Sequence, residues 1–155
     1  MSSLKDKQVF EEELMLVLRE RLNAGQKVRF LSFRGVSMKP MLRQGRDSVE
    51  LAPLPERLKK YDLPVYQYPS GKYVMHRVIE VRDDGYVCMG DNTYSPEYIK
   101  PEWMIAVVSA FKRGNHEISV DSWKYRAYCR IWVALFPLRK RVKPVYSAIK
   151  RRLFK

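Results

Sequence analysis

A change of hydrophobic period near residue 27 constrains this chain more than any other feature. Before it, Val9, Phe10, Leu14, Val17, Leu18 and Leu22 recur near one stripe, which predicts an amphipathic helix over 7–22. Glu11, Glu12 and Glu13 suit the first turn of that helix, where backbone N–H groups leave positive partial charge. From Lys27 the period falls to two. In "KVRFLSF", Val28, Phe30 and Ser32 alternate with Arg29, Leu31 and Phe33 and run into Gly35, the pattern of a strand whose successive side chains point to opposite faces. "SVELAPL" repeats the signal and is ended by Pro53 and Pro55; "LPVYQY" and "YVMHRVIEV" follow across the turn "PSG", then "YVCMG" after the turn "RDDG", then "WMIAVVSAF". Short strands at close spacing predict a mainly β, mixed α+β body built on an antiparallel or mixed sheet.

The tail returns to the helical period. In "YRAYCRIWVALF", Tyr125, Tyr128, Cys129, Trp132, Val133 and Phe136 fall on one helical stripe. Pro137 interrupts it, and Val142, Val145, Tyr146, Ile149 and Leu153 form a second stripe. Charge divides the chain at the same place. Residues 1–110 carry 17 Lys+Arg against 15 Asp+Glu, whereas residues 111–155 carry 13 against 2, so the tail holds +11 of the net +13. We therefore expect a body over 1–120 with an N-terminal helix, and a basic amphipathic helical tail over 121–155.

No apolar run approaches the roughly 20 residues that cross a bilayer. The charged N-terminus leaves no room for the apolar stretch of a signal peptide. These features point to a cytoplasmic or peripheral-membrane location. Cys88 and Cys129 lie 41 positions apart with no CxxC and no histidine at ligand spacing, so they are expected as ordinary buried thiols, with no metal site.

Candidate chemistry begins at "FRGVSMKPML", where Ser37 stands between Gly35 and Pro40. The stretch reads either as a surface turn or as a nucleophile on rigid backbone, which requires a proton acceptor elsewhere. The chain offers two histidines. His116, in the polar turn "KRGNHEI", is expected to be solvent-exposed. His76 lies in the apolar strand "YVMHRVIEV", where an imidazole needs a partner; it is either a core histidine bonded to backbone or a base. A third segment, "GYVCMGDNTYSPEYI", puts Gly90, Asp91 and Asn92 directly after a strand, with Glu97 a few residues later.

Together and in this order, "GVSMKPML", "YVMHRVIEV" and "YVCMGDNTYSPE" resemble the conserved blocks of the signal peptidase family of serine endopeptidases. "YDLPVYQY" is similar to that family's "GDIVVY"-type strand, with Tyr61 in place of the glycine. The resemblance spans about residues 28–110. Histidine in place of the bacterial lysine makes it most similar to the archaeal and endoplasmic-reticulum branch. It implies a signal-peptidase-like β fold, Ser37 as nucleophile, His76 as general base, and an extended peptide as substrate beside Gly35, Met38 and Pro40. It implies neither metal nor organic cofactor. That branch's "GDNNxxDD" block has its acid where this chain has Glu97, with Pro96 before it, so Glu97 or Asp91 is the expected partner of His76. Arg46 is inserted before Asp47, which reads as a local loop change.

Such peptidases carry an N-terminal membrane anchor, and the basic tail is a candidate substitute, with Trp123, Tyr125, Trp132 and Phe136 facing an anionic membrane surface. Packing of the tail on the body is the competing expectation. Nucleic acid ranks last, since no nucleic-acid module is evident. Two other functional readings stay open, a catalytically inactive relative that binds peptides or a membrane surface, and a self-cleaving regulator of the repressor type.

Overall fold

The computed structural model describes residues 4–31 and 35–142, with side chains described over 13–30 and 35–142. Helix α1 (Leu4–Asn23) buries Met15, Leu18 and Leu22, which recur three and four residues apart on one face. It closes at Gly25, whose φ of +75° lets its N–H reach Leu22 O (2.9 Å) while Gln26 N–H reaches Arg21 O (3.0 Å), the paired bonds that end a helix on a left-handed glycine. The expected face needs correction at one residue. Val17 is 50% exposed, and Met15 takes its place in the core. Glu11–Glu13 also lie beyond the first turn of a helix that begins at Leu4, too far from its end for the dipole to favour them. The side chains of Val9 and Phe10 lie outside the described residues, as does the tail stripe after Val142.

The body is mixed α+β, and strands dominate over helices among the described residues. Nine strands follow α1: β1 (Val28–Leu31), β2 (Ser48–Ala52), β3 (Pro64–Gln67), β4 (Tyr73–Met75), β5 (Arg77–Arg82), β6 (Gly85–Met89), β7 (Glu97–Ile99), β8 (Met104–Arg113) and β9 (His116–Ser119). They form two antiparallel sheets, one ordered β1-β2-β8-β3-β4 with β9 also on β8, the other ordered β5-β6-β7. The spine of the larger sheet is β8. Its Ala110 and Phe111 face β2 on one edge and β9 on the other, and Val107 is shared by β2 and β3. Ten residues give it room to hold β3 and β9 in succession on one edge.

Three sequence expectations change here. "YVMHRVIEV" is not one strand, because Tyr73–Met75 pairs with β3 while Arg77–Arg82 pairs with β6, and His76 is the residue at which the chain passes between sheets. His116 opens β9 opposite Arg113 instead of lying in a turn, though it is exposed as expected. Glu97 begins β7, a short strand that "SPEYI" did not suggest, opposite Cys88. The turns "PSG" and "RDDG" do connect adjacent antiparallel strands, β3 to β4 and β5 to β6.

One core lies between α1, the large sheet and helix α2 (Trp123–Ala134), with Leu18, Val49, Leu51, Val65, Phe111, Tyr125 and Cys129 among its members. A second surrounds the small sheet, with Tyr66, Val78, Tyr86, Cys88 and Ile99. Both cysteines are free and buried, and burial pushes the Cys88 thiol up to about 12, which keeps it protonated and unreactive. Ser122 caps α2 by accepting from Tyr125 N–H (3.3 Å), and the chain is helical again over 136–142 after a break at Leu135. No described helix is long and apolar enough to cross a membrane.

The corrected face of α1 gives a stability contrast. Leu18→Ala should cost about 2–5 kcal/mol through the cavity it leaves, and Val17→Ala less than about 0.5 kcal/mol. Urea denaturation of the two variants measures both, and similar losses would return Val17 to the core.

Candidate active site

Ser37 lies half-buried in a loop held at three places. Inside the loop, Lys39 N–H donates to Val36 O (3.1 Å) and Leu42 N–H to Met38 O (2.9 Å). At its start Gly35 takes φ of +125°, a conformation open to glycine alone among ordinary residues, and its N–H donates to Gln44 Oε1 (2.8 Å). A Cβ there would meet nothing within 4 Å, so the backbone beside Ser37 is accessible. At the far end buried Asp47 accepts from Arg43 N–H (2.8 Å) and from Arg46 (2.6 and 2.9 Å). Burial alone would raise this carboxyl, but Arg46 and the Arg43 amide hold it below its ordinary value.

The third tether comes from the loop after β6. Asn92 N–H donates to Ser37 O (2.7 Å) and Asn92 Nδ2 to Val36 O (3.2 Å). Gly90 allows the approach. A Cβ on it would stand 2.8 Å from Ser37 O, too close for a real side chain, and 3.0 Å from His76 Nε2, a contact the ring would have to yield to. The serine carbonyl and the imidazole nitrogen therefore converge on one bare Cα. Ser37 Oγ and Ser37 N–H make no hydrogen bond to a described residue, so the hydroxyl is not bonded to the ring in this structure.

The opposite side of the imidazole is fully engaged. His76 Nδ1 lies 3.1 Å from Glu97 Oε2 and 3.3 Å from Tyr66 Oη, while the Tyr66 hydroxyl donates to Glu97 Oε2 (3.2 Å). Burial pushes the Tyr66 hydroxyl far up, so it remains a donor. A carboxylate only accepts, so the network assigns the proton to Nδ1 and leaves the Nε2 lone pair beside Gly90, with no hydrogen-bond partner among the described residues. Burial lowers the His76 pKa below its ordinary value, and the Glu97 charge and hydrogen bond partly restore it. The ring is thus neutral and able to accept a proton at neutral pH.

Of the two acids anticipated from the sequence, Glu97 is the one on His76. Asp91 is 2% exposed and binds Arg77 instead, Nε to Oδ1 and Nη2 to Oδ2, both at 2.8 Å. Arg77 is completely buried and also donates to Tyr61 O, the Tyr125 hydroxyl and Cys129 Sγ through Nη1, and to Met41 Sδ through Nη2. Tyr128 donates to Asp91 Oδ2 (3.1 Å), and Trp132 Nε1 (3.0 Å) and Arg139 Nη1 (2.7 Å) both donate to Asp91 O. Sequence reading missed Arg77, Trp132 and Arg139. An arginine within the apolar run "VMHRVIEV" was the available signal, because a buried guanidinium must have a carboxylate partner.

Ser37, His76, Asn92 and Glu97, but not the Arg77–Asp91 pair, border a cavity of about 400 Å³ shared with Gly35, Val36, Met38 and Leu42, with β4 and Lys72 along one side. Pro40, expected beside substrate with Gly35 and Met38, is exposed and lies outside the cavity lining that both of those residues share. The aromatics expected to face a membrane are also corrected. Tyr125 is buried against Arg77, Trp132 bonds Asp91, and Phe136 stacks on Tyr94 at 6.0 Å; Trp123 alone of the four points outward.

Comparison with protein-family models gives no match for this chain, and comparison with curated proteins gives none either.

Removing one partner of a buried ion pair strands the other charge, so Asp91→Ala should cost roughly 3–5 kcal/mol. Arg82→Ala, which breaks the exposed pair with Glu80, should cost less than about 1 kcal/mol. Chemical denaturation separates the two, and an Asp91→Ala loss as small as that of Arg82→Ala would contradict the assignment.

Proposed function

We propose that this protein is a serine endopeptidase of signal-peptidase-like type, with Ser37 as nucleophile, His76 as general base and Glu97 as the acid that orients it. The observation that carries the reading is the placement of His76. Its Nδ1 is fixed by Glu97, and its free Nε2 and the Ser37 carbonyl share the space over Gly90 at one cavity. Attack of Ser37 Oγ on a peptide carbonyl passes its proton to Nε2, and the resulting imidazolium is stabilised by Glu97. Collapse of the tetrahedral intermediate returns that proton to the leaving amine, and water then hydrolyses the acyl-enzyme. The unbonded Ser37 N–H is a donor for the oxyanion, a contribution of about 3 kcal/mol.

Substrate geometry follows from the sheet edge. Strand β4 is terminal in its sheet and lines the cavity, so an extended peptide adds along it by backbone hydrogen bonds. Met38, Leu42, Val74 and Met75 give apolar walls suited to small uncharged side chains before the scissile bond. Tyr61 also supports the family reading. It stands where the resembled strand begins with glycine and has φ of +80°, a conformation that glycine adopts without strain.

A second reading, an inactive relative that binds extended peptides, is favoured by the absence of a hydrogen bond between Ser37 Oγ and the ring. Catalytic hydrogen bonds often tighten only with substrate in place, and a mechanism-based probe decides between the two. A tagged fluorophosphonate should label the wild-type protein and His116→Ala, and fail on Ser37→Ala; His76→Ala should label at least a hundredfold more slowly. Labelling that is absent from the wild type, or that survives Ser37→Ala, defeats the enzyme reading.

The pH profile tests Glu97. Only neutral His76 accepts the proton, and burial holds its pKa below 6.5, so labelling should fall off only at pH below that value. Glu97→Gln removes the influence that raises the pKa. The acid limb should therefore move further down in pH while the rate at neutral pH drops by orders of magnitude. A limb that moves upward would exclude Glu97 as the partner.

A further inference from the structure

Helix α2 and the helical segment 136–142 have two apolar faces, and the body covers only one. Tyr125, Tyr128, Cys129 and Trp132 face Arg77 and Asp91. The other face carries Ile131, Leu135, Leu138 and Val142, spaced four, three and four residues apart as on one helical face, and across the break Leu135 N–H still donates to Ile131 O and Arg139 N–H to Leu135 O, both at 2.9 Å. All four are exposed, Ile131 by 60%, and Trp123 near the start of the helix is 74% exposed. Scattered surface leucines need no explanation, but a continuous line does. Its surroundings have one sign of charge. Residues 123–142 hold six Lys/Arg and no Asp/Glu, and Arg130, Lys140 and Arg141 are exposed.

We propose that this face docks on an anionic phospholipid surface, with Ile131, Leu135, Leu138 and Val142 entering the boundary of the acyl chains and the basic side chains meeting the headgroups. The charge selects the occupant. A second copy of the chain would bring two strongly basic helices together, whereas an anionic bilayer neutralises them. The surface differs from the one expected from the sequence, because three of its four aromatics, Tyr125, Trp132 and Phe136, grip the body and only Trp123 is exposed. It is also independent of the peptidase reading, since no cavity residue takes part.

The test uses the full chain and extruded vesicles of phosphatidylcholine alone or of phosphatidylcholine and phosphatidylglycerol in a three-to-one ratio. The wild type should co-sediment with the mixed vesicles, at least tenfold more strongly than with the neutral ones, and less at high salt. The variant Ile131→Ser/Leu135→Ser/Leu138→Ser/Val142→Ser should lose at least tenfold in partitioning while keeping its melting temperature, because these side chains contact solvent. The variant Arg130→Gln/Lys140→Gln/Arg141→Gln should lose the preference for anionic lipid. Equal binding by wild type and the serine variant, or no binding to mixed vesicles, overturns the proposal. A dimer of the wild type that the serine variant dissociates, without vesicle binding, assigns the face to a second copy. Binding of duplex DNA in place of vesicles assigns it to nucleic acid; either result likewise overturns the proposal.

Discussion

The buried Arg77–Asp91 ion pair is the interaction around which the rest of the molecule is arranged. Two charges removed from water are tolerated only when each remaining donor and acceptor is satisfied, and here that demand recruits four parts of the chain. Arg77 belongs to β5, Asp91 to the loop after β6, Met41 to the serine loop, and Tyr125, Tyr128 and Cys129 to α2. Each element is held where it is because a polar atom at the centre requires it. A well-packed apolar substitute would seal the same volume, but without directional bonds it would not fix the angle at which the loop leaves the sheet.

That angle matters because the residues of the pair are sequence neighbours of the candidate site. His76 precedes Arg77, and Gly90 and Asn92 flank Asp91. Alternation along an extended chain turns neighbouring side chains to opposite sides, so fixing Arg77 inward turns His76 toward the cavity. In the turn after β6, fixing Asp91 also holds the adjacent Asn92, whose backbone N–H donates to the serine carbonyl. Burial of the ion pair and presentation of the imidazole are thus two consequences of one register. Passing between sheets at His76 leaves one ring nitrogen to Glu97 and Tyr66, and the other open.

Most elements, and the residues that meet at the cavity, were legible in the sequence for a simple physical reason. Hydrophobic period and glycine-proline turns are local, and they located α1, most strands and the stripe of α2. Ser37, His76 and Glu97 were legible through block resemblance, and the geometry brings all three to one cavity. What stayed hidden was relational. "YVMHRVIEV" has one period but two pairing partners, and nothing in a single strand announces a change of sheet. Asp91 and Glu97 were equivalent as acids until β7 paired with β6 and put Glu97 beside the ring. In the tail, the period identified apolar faces without saying which one the body would cover. Tyr125 and Trp132 face inward because their hydroxyl and N–H have partners there, a fact held by Arg77 and Asp91 and not by the helix.

Gly90 states the same logic at the scale of one atom. Its φ lies outside the left-handed region, so conformational freedom is not the reason for glycine at this position. The reason is what lies above its Cα, the carbonyl of Ser37 on one side and His76 Nε2 on the other. Any side chain there would act as a wedge between the serine loop and the imidazole, the two groups that the ion pair and the Asn92 tether bring together. A glycine that serves only a turn tolerates neighbours at any distance. One that must be bare because a backbone carbonyl and an imidazole close over it marks the place where the serine loop and the ring approach each other.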